Sequence, residues 1–187
     1  MRVDLLLAHA DLIEASRPSV AYCRKNGIDF AATVPACGGV YLAEIYADGR
    51  TFLPCAGGAL AAWCEAIAED AEAVLDVVAW PVDRPERWWT LGGLAPALGM
   101  SFAANPASYA FGSPLRLHRT PLRWLQAKCD GAVVLDRQLG ARWLLDVPAP
   151  RIATEDRAHA RESVAAMDAL VGRQRFVVPA NDMEAAA

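Results

Sequence analysis

The alternation of apolar and polar positions in the first half of the chain predicts a helix followed by a β-hairpin. In residues 3–15, apolar side chains recur at helical spacing, which predicts an amphipathic helix. Residues 20–25 are expected to add a further helical turn. Residues 40–46 and 51–53 alternate as strands do, and Asp48-Gly49 between them is a favourable hairpin turn. The N-terminal part is therefore predicted to be a helix plus a hairpin.

The alanine-rich segment 59–71 allows two interpretations. Its composition has a strong helix propensity, and we predict a helix on that basis. Trp63, Glu65 and Ile67 also alternate, so the segment could instead be a strand that pairs with residues 74–80. Residues 74–80 themselves are rich in valine and predict a strand.

Two segments between the halves lack a clear period. Residues 85–90 are predicted to form a short helix that ends at Gly92-Gly93. Residues 100–114 carry no charge and are predicted to be a long irregular loop, of a kind that is often functional.

The second half alternates short apolar strands with helical segments. Thr120-Pro121 is typical of a helix start, with a threonine cap and a proline in the first turn. Thr154 is expected to cap the last helix. The predicted order is strand 115–118, helix 121–129, strand 132–135, helix 138–145, strand 151–153 and helix 155–171. Such alternation implies parallel strands joined by right-handed crossovers.

These elements predict an α/β or α+β fold, with a mixed sheet whose C-terminal portion is a parallel βαβαβα unit. The length of 187 residues and the hydrophobic share of 55% fit one globular domain over residues 1–178 and a flexible tail over 179–187. We expect no secretory signal and no membrane span, and hence a cytoplasmic protein.

The cysteines give no sign of a disulfide framework or of structural zinc. There are five, an odd number, without C-x-x-C spacing: Cys23, Cys37, Cys55, Cys64 and Cys129. We therefore expect reduced, mostly buried thiols. No cofactor is predicted.

Charge is distributed unevenly around an overall value of −4. Residues 1–83 have a net charge of −7, whereas residues 84–143 have a net charge of +5 and hold four of the six tryptophans. Cations that contact phosphates and aromatic rings that stack on bases are how single-stranded nucleic acid is bound. The candidate contacts are Arg84, Arg87, Trp88, Trp89, Arg116, Arg119, Arg123, Trp124 and Arg142. The alternative is that the tryptophans belong to the core and the arginines to a solvated surface.

Acidic side chains at predicted strand ends suggest a second kind of site. Asp83, Asp136 and Glu155 each follow a strand, and converging carboxylates could hold Mg²⁺ for phosphoryl transfer. Alternatively, Asp136 caps the next helix and Glu155 offsets a helix dipole. Glu155, His159 and Glu162 share one helix face and could ligate a metal, or could simply form surface charge pairs.

Four segments resemble uncharacterised proteins encoded in bacterial prophages. They are DVVAWP at 76–81, RPERWW at 84–89, LHRTPLRWL at 117–125 and GAVVLD at 131–136. The resemblance covers roughly residues 70–160. It implies a gene of a mobile element, near replication genes, and it supplies no catalytic residues.

Three functions follow from these observations. The first is an accessory protein that binds nucleic acid or a replication protein through residues 84–143. The second is a metal-dependent phosphoryl-transfer enzyme or nuclease that uses the strand-end carboxylates. The third is a protein-interaction module without chemistry, which predicts an exposed apolar patch near residues 100–114.

Overall fold

A computed structural model describes residues 3–173, in which two sheets pack together with helices around them. The helices are α1 (Val3–Ala15), α2 (Val20–Lys25), α3 (Phe30–Cys37), α4 (Met100–Ala104), α5 (Pro121–Gln126), α6 (Arg137–Asp146) and α7 (Arg157–Arg173), with a 3-10 helix at Pro106–Gly112. The strands are β1 (Arg17–Pro18), β2 (Tyr41–Asp48), β3 (Thr51–Pro54), β4 (Ala59–Ile67), β5 (Val74–Pro81), β6 (Trp89–Thr90), β7 (Ala97–Leu98), β8 (Leu115–His118), β9 (Ala132–Val134) and β10 (Ile152–Thr154). The predicted fold class is confirmed, and so are the N-terminal helix and the hairpin.

The first sheet closes on itself. Strand β2 pairs antiparallel with both β3 and β4, β4 pairs with β5, and β5 pairs with β6. The ring is completed by one parallel residue pair between β3 and β6, Thr51 with Thr90. Its interior is filled by a separate apolar cluster that includes Leu12 from α1, Phe52 and Trp63. Helix α1 therefore packs its apolar side against the interior of the ring.

Residues 59–71 are a correction to the predicted helix, because Ala59–Ile67 is the strand β4. Trp63 faces the interior of the ring, while Cys64 faces the larger core shared with the second sheet. Both faces of the strand are buried, so no polar face marks it as a strand. Small alanine side chains let its neighbours approach closely, and tertiary packing overrides the helix propensity.

The second sheet has the order β10-β8-β9-β7, in which β10, β8 and β9 are parallel and β7 is antiparallel. Helix α5 connects β8 to β9, and α6 connects β9 to β10. The predicted parallel βαβαβα portion is confirmed.

Residues 85–90 and 100–114 also differ from their predictions. A turn at Pro85-Glu86 leads into β6, where Trp89 pairs with Ala79. The predicted loop 100–114 contains α4 and the 3-10 helix, which starts where the side chain of Asn105 accepts a hydrogen bond from a backbone N–H.

Two helix boundaries differ as well. Helix α5 ends at Gln126, before Cys129, because Lys128 and Cys129 adopt left-handed backbone conformations. Helix α7 begins at Arg157, and the carboxylate of Asp156, in place of Thr154, accepts the hydrogen bond from the N–H of His159 at 2.9 Å. Asp156 lies two residues nearer to the helix than Thr154, directly before Arg157, where a side-chain oxygen can reach the first N–H groups.

A buried carboxylate fixes the segment that leaves β6. Asp76 on β5 is 2% exposed, and its Oδ1 accepts hydrogen bonds from the N–H groups of Val77 and Gly92, both at 2.8 Å. Its Oδ2 accepts from the N–H groups of Leu94 at 2.6 Å and Ala95 at 3.4 Å. Because all four donors are backbone groups, Asp76 determines the path of the chain from the first sheet to the second.

The thiols and the helices agree with two further expectations. All five cysteines are free, and only Cys55 is exposed. Within residues 3–173, no helix combines the length and the apolar character that crossing a bilayer requires.

Candidate nucleic-acid interface

Three adjoining clefts lie along the carboxyl edge of the parallel strands. The first, here called the histidine cleft, has a volume of about 410 Å³ and lies where β8 and β9 end. Its polar lining consists of three arginines, two histidines, an acid and a serine: Arg50, Arg119, Arg137, His118, His159, Glu162 and Ser163. Its apolar wall includes Trp88 and Leu135.

The strand order explains why a cleft forms at this point. Helix α5 leads from β8 to its neighbour on one side, whereas α6 leads from β9 back across β8 to the neighbour on the other side. Because the two crossovers are right-handed and run in opposite directions, α5 and α6 lie on opposite faces of the second sheet. A crevice is therefore left between the carboxyl ends of β8 and β9. In open α/β sheets, ligands bind at such reversals.

The second and third clefts extend this surface. The tryptophan groove, of about 500 Å³, is lined by Arg87, Trp89 and Asp136, and it shares Arg50 and Trp88 with the histidine cleft. The third cleft, here called the Arg123 groove, has a volume of about 440 Å³. It shares Arg119 with the histidine cleft and Glu86 with the tryptophan groove. We call the three together the arginine surface.

Arg119 is held in position by two carboxylates, one just before α7 and one in its second turn. Its Nε and Nη2 donate to the two carboxylate oxygens of Asp156 at 3.1 and 3.0 Å, and its Nη1 donates to Glu162 at 3.2 Å. The guanidinium beside Asp156 holds the pKa of that carboxyl well below its usual range. These bonds use three of the five guanidinium N–H groups, so two remain for a ligand.

Arg50 reaches the arginine surface from the hairpin turn of the first sheet. Its Nη1 donates to Asp136 at 2.8 Å. The same carboxylate caps α6 by accepting from the N–H groups of Gln138 and Leu139. Partial burial would raise the pKa of Asp136, but the helix N–H groups and Arg50 outweigh it and lower the pKa. Asp136 thus couples the turn of the first sheet to the start of α6.

His118 is fixed at the end of β8 by two partners. Its Nε2 lies 2.8 Å from the carbonyl oxygen of Asp130, which can only accept, so Nε2 carries the proton. Its Nδ1 lies 3.6 Å from the carboxylate of Glu155. A protonated His118 would therefore form an ion pair with Glu155.

His159 is the least satisfied polar side chain of the cleft. It is 9% exposed, and its Nδ1 has no hydrogen-bond partner within residues 3–173. Burial, together with the charge of Arg119, lowers the pKa of His159, although Glu155, Glu162 and Asp156 act in the opposite direction. His159 is therefore neutral near pH 7.

Three arginines of the surface keep their charge uncompensated. In the described part of the chain, Arg87, Arg123 and Arg137 have no carboxylate within 4.0 Å. All three are exposed. Their charges are thus available to an anion.

The structure brings together five of the nine predicted nucleic-acid contacts. Those that line the arginine surface are Arg87, Trp88, Trp89, Arg119 and Arg123. Trp88 and Trp89 are half-buried, so part of each side chain is accessible.

The other four predicted contacts lie elsewhere. Trp124 is fully buried and its indole N–H donates to the carbonyl of Gly131, so its ring packs in the core and offers no face to a base. Arg84 lies next to Asp83, and Arg116 binds Asp130. Arg142 is exposed on α6 but lines none of the three clefts.

The predicted carboxylate sites are not assembled. Asp83 is exposed and follows a strand of the first sheet, Asp136 caps α6, and Glu155 accepts from the backbone N–H of Arg119. Over residues 3–173, neither these three nor Glu155, His159 and Glu162 form a group arranged to hold a metal ion.

Two residues that line the histidine cleft, Arg50 and Arg137, have no specific signal in the sequence. Arg50 belongs to a hairpin turn and lies 86 positions before its partner Asp136. Arg137 contributes to the charge of residues 84–143, but only the strand order places it beside His118. A search for cations next to strand ends would have found Arg137 and would still have missed Arg50.

Comparison with protein-family models, with curated proteins and with solved structures finds no match to this chain.

Proposed function

We propose that the protein binds single-stranded nucleic acid along the arginine surface. The observation that carries the proposal is the position of Trp88, which lies where the histidine cleft and the tryptophan groove meet. Four arginines line the two clefts that meet there, Arg50, Arg87, Arg119 and Arg137, and Arg123 lines the third cleft.

The charges favour a phosphate backbone. Arg87, Arg123 and Arg137 come from three different segments of the chain, and each lines a different one of the three clefts. A ligand with several regularly spaced negative charges could contact all of them, and each contact would release a counterion from the nucleic acid.

The tryptophans favour a single strand over a duplex. Trp88 and Trp89 are half-buried in the walls of the clefts, where their orientation is fixed by packing. Stacking requires the flat face of a base, which a duplex hides within its own stack. Base stacking on such a ring contributes about 1–3 kcal/mol per base.

Tryptophan fluorescence can test the proposal directly. The protein is titrated with a single-stranded oligonucleotide and with the matching duplex at several salt concentrations. We expect quenching and tighter binding with the single strand, and an affinity that falls as salt rises. Binding that is absent, or that does not depend on salt, would contradict the proposal.

Paired charge variants locate the site. Each phosphate contact on a single strand contributes about 0.7 to the slope of log affinity against log salt. We therefore expect the double variant Arg87→Gln/Arg123→Gln to lower that slope by about 1.4. The control is Arg142→Gln, which removes an exposed arginine outside the three clefts and should leave the slope unchanged.

The proposed setting is a mobile element, on the basis of the prophage resemblance over roughly residues 70–160. The five free thiols, four of them buried, are compatible with a reducing compartment such as the cytoplasm. Both statements belong to the proposal.

A further inference from the structure

Three arginines line the histidine cleft, whereas two line each of the other two clefts of the arginine surface. The volume of the histidine cleft, about 410 Å³, is within the range of small-molecule sites and suits one nucleotide. Three arginines and one glutamate line it, and two of the arginines, Arg50 and Arg119, are bound by Asp136 and Asp156. Within residues 3–173, Arg137 is the arginine of this lining that has no carboxylate partner.

The cleft also has unused donors. Arg137 has no carboxylate partner within the described residues, and Arg119 and Arg50 each keep N–H groups that their acidic partners leave free. Ser163 adds a hydroxyl group to the lining. An anion in the cleft could therefore accept several charge-assisted hydrogen bonds at once.

His159 supplies an independent indication of a missing ligand. A polar nitrogen that is buried without a partner costs free energy, and most such groups in proteins are satisfied. His159 lines the cleft, is 9% exposed and has an unpartnered Nδ1. One nitrogen of this ring at the wall of the cleft therefore has an unused hydrogen-bonding capacity.

We propose that the histidine cleft binds the terminal phosphate monoester of the nucleic-acid strand. This inference rests on the proposed function, which it makes more specific. A phosphate monoester carries a charge of about −1.5 to −2 near pH 7, and its three terminal oxygens can accept the N–H groups that remain free on Arg137, Arg119 and Arg50. An internal phosphodiester carries a single negative charge, so the cleft discriminates in favour of a strand end.

The apolar wall completes the recognition. Trp88, Leu135 and Leu144 line the same cleft as the arginines, so the sugar and base of a terminal nucleotide would lie against them. Trp88 also borders the tryptophan groove, where the next nucleotides would follow. One end of the strand is thus fixed, and the remainder runs along the arginine surface.

The first experiment uses single nucleotides. A nucleoside 5′-monophosphate and the corresponding nucleoside are titrated into the full-length protein by calorimetry. We expect the monophosphate to bind and the nucleoside to bind at least about tenfold more weakly, since charge-assisted hydrogen bonds account for the difference. Arg137→Gln should weaken monophosphate binding by about tenfold or more, whereas Arg142→Gln on the same helix should not. Equal affinity for nucleoside and monophosphate, or an unaffected Arg137→Gln variant, would overturn the inference.

The second experiment separates this inference from the proposed function. Oligonucleotides with a 5′-phosphate, with a 3′-phosphate and with two hydroxyl ends are compared under one salt condition. We expect one phosphorylated end to bind about tenfold more tightly than the hydroxyl end. If all three bind equally with a strong salt dependence, the terminal-phosphate site is refuted and the proposed function stands. If the monophosphate binds but no oligonucleotide does, the proposed function is refuted, and the cleft is a site for free nucleotides and not for strand ends.

Discussion

Replacing Asp76 by asparagine measures how much one buried carboxylate contributes to the fold around the tryptophan groove. The carboxylate accepts two hydrogen bonds on each oxygen, all from backbone N–H groups. An asparagine amide has the same shape but only one acceptor, so two N–H groups will face its NH₂ group in either orientation.

The expected loss follows from these bonds. A hydrogen bond to a charged group contributes about 1.5–3 kcal/mol, so losing two would cost about 3–6 kcal/mol. Removing a buried charge relieves part of its desolvation, which offsets some of this loss. We expect Asp76→Asn to lower the free energy of unfolding by about 2–4 kcal/mol.

Urea denaturation at pH 7, followed by far-ultraviolet circular dichroism, measures this difference. The control is Asp83→Asn, an exposed carboxylate in the loop after the same strand, which should change the free energy of unfolding by less than about 0.5 kcal/mol. If both variants unfold at the same urea concentration with equal slopes, the four N–H groups do not depend on the carboxylate and the reasoning is wrong.

Three further predictions concern backbone strain, pH and thiol reactivity. Gly131→Ala should lower the free energy of unfolding, measured by urea denaturation, by about 3 kcal/mol, because φ is +100° and the added methyl would overlap the carbonyl of the facing strand. Gly27→Ala, with open space around it, should lower it by only about 1 kcal/mol. Equal losses for the two variants would contradict the overlap. Because burial lowers the pKa of His159 below 6.5 in the folded state, the unfolded chain binds a proton at this residue more readily than the folded protein does. The melting temperature should therefore fall more steeply from pH 7.5 to 5.5 in the wild type than in His159→Gln. Parallel plots of melting temperature against pH would refute this. Cys55 alone should react rapidly with a thiol reagent in the native protein, with the other four thiols reacting after denaturation, and a second rapid thiol would contradict the structure.

Local chemistry accounts for the elements that could be predicted from the sequence. Asp48-Gly49 forms its hairpin turn, and Thr120 and Asp136 cap their helices, because each of these signals acts over four residues or fewer. The strand β4 could not be predicted with the same certainty. Its strand conformation is imposed by burial on both faces, and the partners that bury it lie elsewhere in the chain.

The candidate site also contains residues that local sequence patterns indicate and residues that only the tertiary structure brings in. Of the arginines and tryptophans clustered in residues 84–143, Arg87, Trp88 and Arg119 line adjoining clefts, and their role in binding stays a prediction. Spacing along the chain could not separate Trp88, at the surface, from Trp124 in the core, because burial depends on which face of an element meets the second sheet. Arg50 enters only through the contact between the two sheets.

Closure of β2 to β6 into a ring also affects how the chain behaves at high concentration. A free strand edge is a template for pairing with another molecule. If they were exposed, alanine- and valine-rich strands such as β4 and β5 would be prone to pair with strands of other molecules. In the ring each of the five strands has hydrogen-bonded neighbours on both sides along part of its length. The outer strands of the second sheet, β10 and β7, are three and two residues long. Aggregation of this protein should therefore follow the opening of the ring, and stabilising the single β3–β6 pair is the most direct way to suppress it.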